Sequence, residues 1–62
     1  MFEPKDIKEL RLKMMLSQVE FARLLGVCFA SVNRYETGKS KPTYKVQRKL
    51  KELMDKEEMR ME

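Results

Sequence analysis

The chain has 62 residues, a length that allows one small domain with a marginal hydrophobic core. Its single cysteine, Cys28, excludes an internal disulfide, and the absence of histidine removes the usual partners of a zinc site. The same absence excludes Ser-His-Asp and Cys-His catalysis. We therefore expect one non-enzymatic domain over residues 1–62, with no metal or cofactor, in which Cys28 is a small buried or half-buried side chain.

The composition favours helices. Hydrophobic residues make up 42% and charged residues 39% of the chain, and only two glycines and two prolines interrupt it. The few β-branched residues never alternate with polar ones over the length of a strand. The sequence therefore predicts an all-α fold, a compact bundle of four helices with a fifth left open. No apolar run approaches the roughly 18 residues of a membrane span, so we expect no membrane partner. The single unpaired cysteine fits a reducing compartment, so we expect a cytoplasmic protein.

The net charge of +4 is concentrated in the middle of the chain. Residues 1–33 balance to +1, whereas residues 34–51 hold seven basic residues and one acidic residue, a balance of +6. Residues 52–62 balance to −3. A basic segment of this kind predicts a polyanionic partner, and the alternative is an ordinary solvated helix face.

The first two predicted helices carry clear local signals. The first covers residues 4–14, because Pro4 suits the first helical position and apolar residues follow at spacings of three and four, namely Ile7, Leu10 and Met14. The second begins after Ser17-Gln18-Val19-Glu20, a capping box in which the side chains of Ser17 and Glu20 each accept a backbone hydrogen bond from the other residue. It ends about eight residues later at Gly26, since glycine is favoured just after a helix.

Two further helices follow. The third covers residues 29–36 and ends at Thr37-Gly38, and Pro42 prevents helix through the loop before it. The fourth runs from about Thr43 to Met59 and turns four apolar residues inward: Val46, Leu50, Leu53 and Met54. We expect residues 58–62 to fray. Two short helices joined by a three-residue turn that begins with glycine are typical of a helix-turn-helix, here at about residues 17–37.

A resemblance to a known family lies in residues 17–42, which read SQVEFARLLGVCFASVNRYETGKSKP. This stretch resembles the Cro and lambda-repressor-like helix-turn-helix family, also called the Xre family. Ala22 matches the small residue where two helices cross, Gly26 the glycine of the turn, and Val32 the apolar residue that packs the third helix on the second. Cys28 departs from the pattern, because a capping hydroxyl is usual there. The resemblance implies sequence-specific DNA binding by a small prokaryotic or phage transcriptional regulator.

The resemblance also implies which residues contact DNA. The second helix of such a motif enters the major groove, and four residues of the third helix here would face base edges: Phe29, Ala30, Asn33 and Arg34. Arginine can bond guanine and asparagine can bond adenine, whereas phenylalanine and alanine offer apolar contact to a thymine methyl. Six residues would contact phosphates: Gln18, Ser31, Thr37, Lys39, Ser40 and Lys41. The family commonly pairs the residues at Arg11 and Glu36, which would lock the first helix to the end of the third.

Double-stranded DNA is therefore the expected partner. Regulators of this family usually bind operators as symmetric dimers, so a homodimer is one expectation, with the methionines at the end of the chain as its contact or as part of the core: Met54, Met59 and Met61. The alternative is a protein-interaction module that retains the fold, such as an antitoxin acting on a toxin. Phe29 and Tyr35 favour that alternative, since they would add apolar surface to the third helix.

Overall fold

The computed structural model describes residues 2–59, and within that range it contains four α-helices and no strand. The helices are α1 (Pro4–Lys13), α2 (Gln18–Leu25), α3 (Phe29–Thr37) and α4 (Tyr44–Met59). The predicted all-α fold is confirmed, and α4 continues without a break, so the described residues hold no fifth helix. Residues 58 and 59, which were expected to fray, complete the last turn of α4, and residues 60–62 lie outside the described residues.

Local chemistry fixes both ends of α2. The Ser17 hydroxyl accepts a hydrogen bond from the Glu20 backbone at 3.1 Å, and the Glu20 carboxylate accepts one from the Ser17 backbone at 2.9 Å. The predicted capping box is thus confirmed. Gly26 ends α2 at a φ of 75°, and Gly38 ends α3 at a φ of 80°, a left-handed conformation that glycine adopts without strain.

The turn between α1 and α2 contains a residue with the same backbone conformation but with a side chain. Met15 has a φ of 59°, and its side chain is 88% exposed. A residue with a β-carbon is sterically disfavoured in the left-handed conformation, and an exposed side chain makes few contacts that could offset this cost. Met15 is therefore a local source of instability in the fold.

The core lies where the four helices meet. Its buried side chains come from every helix: Ile7, Leu10, Phe21, Ala22, Leu25, Val32, Tyr35, Val46, Leu50 and Leu53. Met14 and Met54 pack partly buried against this cluster. The apolar faces predicted for the first and last helices are confirmed by these contacts. The described residues contain no helix that is long and apolar enough to cross a membrane.

The packing of α3 positions the candidate site. This helix packs mainly against α2 and α1. Helix α4 makes separate contacts with the same two helices. Val32 and Tyr35 are the buried residues of α3, and Ala22 lies buried on the facing helix α2. The remaining face of α3 is directed away from the core, and contacts with α1 and α2 hold the helix in place.

Candidate nucleic-acid interface

The outward face of α3 presents the four residues expected to face DNA bases. Phe29, Ala30, Asn33 and Arg34 are all exposed, and Phe29 is half exposed at 50%. Residues four apart lie above one another on a helix, so Phe29 aligns with Asn33 and Ala30 with Arg34. The structure thus brings the four residues together on one face over two successive turns.

The second of these turns carries unused hydrogen-bonding groups. The side chains of Asn33 and Arg34 form no hydrogen bond or ion pair with other residues in the described part of the chain. An arginine guanidinium has five N–H donors, and an asparagine amide has both donor and acceptor atoms. This turn of α3 can therefore bind an external partner without breaking an internal contact.

The first turn of α3 is different, because it begins with three residues of low polarity. Cys28 caps α3 but makes no side-chain capping bond, and it is exposed rather than buried or half-buried as expected. Its Sγ lies 3.5 Å from Oγ of Ser31. Hydrogen bonds with the side chain and then the backbone of Ser31 lower the pKa of the thiol. Our expectation for Cys28 was wrong because the helix start at which it lies faces solvent.

The residues expected to contact phosphates lie at three places around α3. Lys39, Ser40 and Lys41 are exposed in the loop after α3, and the two lysines form no ion pair within the described range. The hydroxyl of Thr37 donates a hydrogen bond to backbone oxygens of α3, and the backbone oxygen of Asn33 lies 2.9 Å from it. The hydroxyl oxygen of Thr37 can still accept a hydrogen bond. To donate one to a phosphate, the hydroxyl proton must rotate away from these backbone oxygens and toward solvent.

Ser31 and Gln18 complete this group. Ser31 is half-buried beside Cys28, with its hydroxyl at the sulfur. Gln18 is the first residue of α2, and its Nε2 donates to Oε1 of Glu36 at 2.9 Å. The side chain of Gln18 therefore has an internal partner, while the backbone at the start of α2 offers the N–H groups that favour an anion.

A polar network joins α1, the start of α2 and the end of α3. Arg11 Nε lies 2.6 Å from Oε2 of Glu36, and its Nη2 donates to Oε1 at 3.2 Å. The third contact of the guanidinium is to the backbone oxygen of Leu16 at 2.9 Å. The side chains of Arg11 and Glu36 are only 12% and 4% exposed. The network thus holds the outward face of α3 in a fixed relation to the start of α2.

The charge of Glu36 is maintained by this network. Burial of the carboxyl group raises its pKa, but the hydrogen bonds from Arg11 and Gln18 and the charges of Arg11 and Lys8 lower it by more. The pKa of Glu36 therefore lies below its ordinary value of 4.5, and the group is ionised near neutral pH.

Sequence reasoning missed two features near the interface. The hydrogen bond from Gln18 to Glu36 joins residues far apart in the chain, and no local pattern indicates it. Tyr44 is 83% exposed at the start of α4, directly after the basic loop. Tyr44 does not belong to the set of apolar residues that α4 turns toward the core, and this position could have indicated its exposure. Tyr35, in contrast, is only 6% exposed and adds no apolar surface to the outward face of α3.

Two short helices joined across a left-handed glycine, with the second presenting an exposed polar and basic face, define a helix-turn-helix domain. The family model described as helix-turn-helix matches residues 7–58. The chain therefore belongs to this family, of the Cro and lambda-repressor type, and is Xre-like. The family binds DNA and is generally non-enzymatic. No curated protein and no solved structure gave a significant match to the chain.

Proposed function

We propose that the chain is a sequence-specific DNA-binding regulator of transcription, of the small prokaryotic or phage kind, that places α3 in the major groove. The observation that carries this proposal is the outward face of α3, where the side chains of Asn33 and Arg34 form no hydrogen bond or ion pair among the described residues. An α-helix with its side chains is about 10–12 Å in diameter, and the major groove, about 12 Å wide, admits it.

The proposed contacts divide into two kinds. Arg34 donates two hydrogen bonds to a guanine and Asn33 bonds an adenine, so these two residues distinguish bases through donor and acceptor patterns. Lys39, Ser40 and Lys41 bind phosphates after the end of α3, next to Thr37, and Ser31 binds one near the start of that helix. The N–H groups at the start of α2 bind another phosphate next to Gln18. The phosphate contacts fix the position of the domain on the duplex, and the base contacts provide the sequence preference.

The Arg11–Glu36 network supports this arrangement from behind. Arg11 contacts the backbone of Leu16 just before α2 as well as Glu36 near the end of α3. The phosphate site at α2 and the base-contacting face of α3 are therefore connected through buried, charge-assisted hydrogen bonds. We infer that the network is a positioning element, which keeps the two kinds of contact in register on one duplex.

Binding by two copies is part of the proposal. Operators with two half-sites about one helical turn apart are bound by symmetric dimers in helix-turn-helix proteins. Selection of binding sites from random duplexes would give two inverted half-sites if a homodimer binds, and one unrepeated site if a single copy binds.

Salt dependence tests the proposal. If Lys39 and Lys41 neutralise phosphates, the logarithm of the affinity for mixed duplex DNA falls with the logarithm of salt concentration, and each lysine contributes about 0.9 to the slope. Lys39→Gln and Lys41→Gln should each make the slope shallower by about that amount. Lys56→Gln is the matched control, because Lys56 lies about 18 Å along α4 from Tyr44, the residue that begins this helix after the loop, and should leave the slope unchanged.

The alternative, a protein-interaction module such as an antitoxin, predicts a different result. Of the two aromatic residues that favoured it, only Phe29 is exposed, because Tyr35 belongs to the core. An absence of salt-dependent binding to duplex DNA would contradict the groove-and-phosphate proposal and favour this alternative.

A further inference from the structure

The first two side chains of α3 contribute no hydrogen-bonding group to its outward face. Phe29 is 50% exposed and Ala30 is exposed, and neither side chain carries a donor or an acceptor. The preceding Cys28 has a weakly polar sulfur whose neighbour is Ser31. Any base pair that meets this turn therefore meets an apolar surface formed by Phe29 and Ala30.

One feature of the major groove suits an apolar surface. The C5-methyl group of thymine is the apolar group that the four standard bases present there. Cytosine has hydrogen at the same carbon, and 5-methylcytosine has the same methyl group as thymine. Thymine and 5-methylcytosine differ in the adjacent group, a carbonyl oxygen in one and an amino group in the other. A side chain needs a donor or an acceptor to distinguish them, and Phe29 and Ala30 have neither.

The polar residues of α3 lie too far along the helix to supply that distinction at the same base pair. Asn33 and Arg34 are four residues beyond Phe29 and Ala30, which is about 6 Å along the axis. A helix in the major groove follows the groove, in which successive base pairs are at least about 3.4 Å apart, so this distance corresponds to between one and two steps. The apolar turn and the polar turn therefore meet different base pairs.

We propose that the surface formed by Phe29 and Ala30 recognises the C5-methyl group of a pyrimidine in duplex DNA, whether the base is thymine or 5-methylcytosine. Cytosine methylation at that position would then strengthen binding relative to unmodified cytosine. The inference rests on the proposed function, since it requires α3 in the major groove.

The test compares two pairs of duplexes, and the members of each pair differ only by one methyl group. A site is first selected from random duplexes. The thymine that contacts the first turn is then replaced by uracil, with adenine kept opposite, or by cytosine or 5-methylcytosine, with guanine opposite. Within each pair we expect the duplex that carries the methyl group to be bound about fourfold more tightly, the effect of one methyl-sized apolar group.

A pair of variants assigns the effect to the surface. Phe29→Ser should bind thymine and uracil duplexes alike. Leu24→Ser is the matched control, because Leu24 is exposed to a similar extent, 42% against 50% for Phe29, but lies on α2; it should keep the preference for the methyl group. Since the four-duplex comparison uses the unaltered chain, the inference can be tested even if Phe29→Ser does not fold.

The outcomes separate the inference from the proposed function. Equal affinity for thymine and uracil duplexes, or for cytosine and 5-methylcytosine duplexes, would overturn methyl recognition while salt-dependent binding to the selected site remained. Failure to enrich any duplex, together with affinity that is independent of salt, would contradict the proposed function itself.

Discussion

Removal of Glu36 is a single change that we expect to destabilise the fold strongly. Glu36→Leu deletes a carboxylate that is 4% exposed and leaves three donor groups without their acceptor: Nε and Nη2 of Arg11 and Nε2 of Gln18. Breaking a buried ion pair by removing one partner costs about 3–5 kcal/mol. Because Arg11 is 12% exposed and can regain some hydration, we expect a loss of about 3 kcal/mol.

The expected loss is large relative to the total free energy of unfolding. A domain of this length is stable by about 3–9 kcal/mol, so Glu36→Leu should lose a third or more of the free energy of unfolding. Arg11→Leu should lose a similar amount, since it leaves the Glu36 charge buried. The double variant carries neither charge. Its loss of stability should therefore be smaller than the sum of the two single losses, by at least about 1.5 kcal/mol.

Urea unfolding followed by circular dichroism measures all four chains of this cycle. Losses below about 1 kcal/mol in both single variants, or losses that simply add in the double variant, would refute the reasoning. Such a result would mean that Arg11 and Glu36 are hydrated independently in solution and do not hold α1 against α3.

Three further changes test local features of the fold. The pKa of Glu36 is lowered on folding, so its stabilising contribution is complete above the ordinary value of 4.5 and is lost as pH falls through the lower folded value; urea midpoints should drop with pH in this range, and less steeply for Glu36→Gln. Met15→Gly should stabilise the chain by about 0.5–1 kcal/mol in urea unfolding by relieving the left-handed backbone, whereas Met15→Ala, which keeps a β-carbon, should give no gain. Ser17→Ala should lower the thermal midpoint with a loss of about 1 kcal/mol because the capping bond to Glu20 is lost, and Ser17→Asp, which retains an acceptor, should remain close to the original.

The helices could be predicted because their signals are local. The capping box at Ser17 and Glu20, the glycine after α2 and the spacing of apolar residues each act within one or two turns, and each is confirmed. The exposure of Cys28 depends instead on which side of the folded chain the start of α3 faces. Its sequence neighbours do not determine that orientation.

Contacts between distant residues were harder to predict. The bond between Gln18 and Glu36 depends on side-chain rotamers that only the packed helices select. Resemblance to a family placed Arg11 opposite Glu36, but periodicity and composition alone contain no signal for such a pair. The positions of Asn33 and Arg34 on one exposed face follow from helix geometry once α3 is known, and their contacts with bases remain predictions.

Parallel selection of binding sites by the unaltered chain and by Arg34→Ala tests the central claim most directly, that α3 determines the preferred DNA sequence. The unaltered chain should enrich a defined site with guanine at one position. Arg34→Ala should bind that site more weakly, by about 1–3 kcal/mol, and should lose the preference at that one position while keeping the others. Identical preferences from both chains, or no enrichment by the unaltered chain, would contradict recognition of DNA by α3.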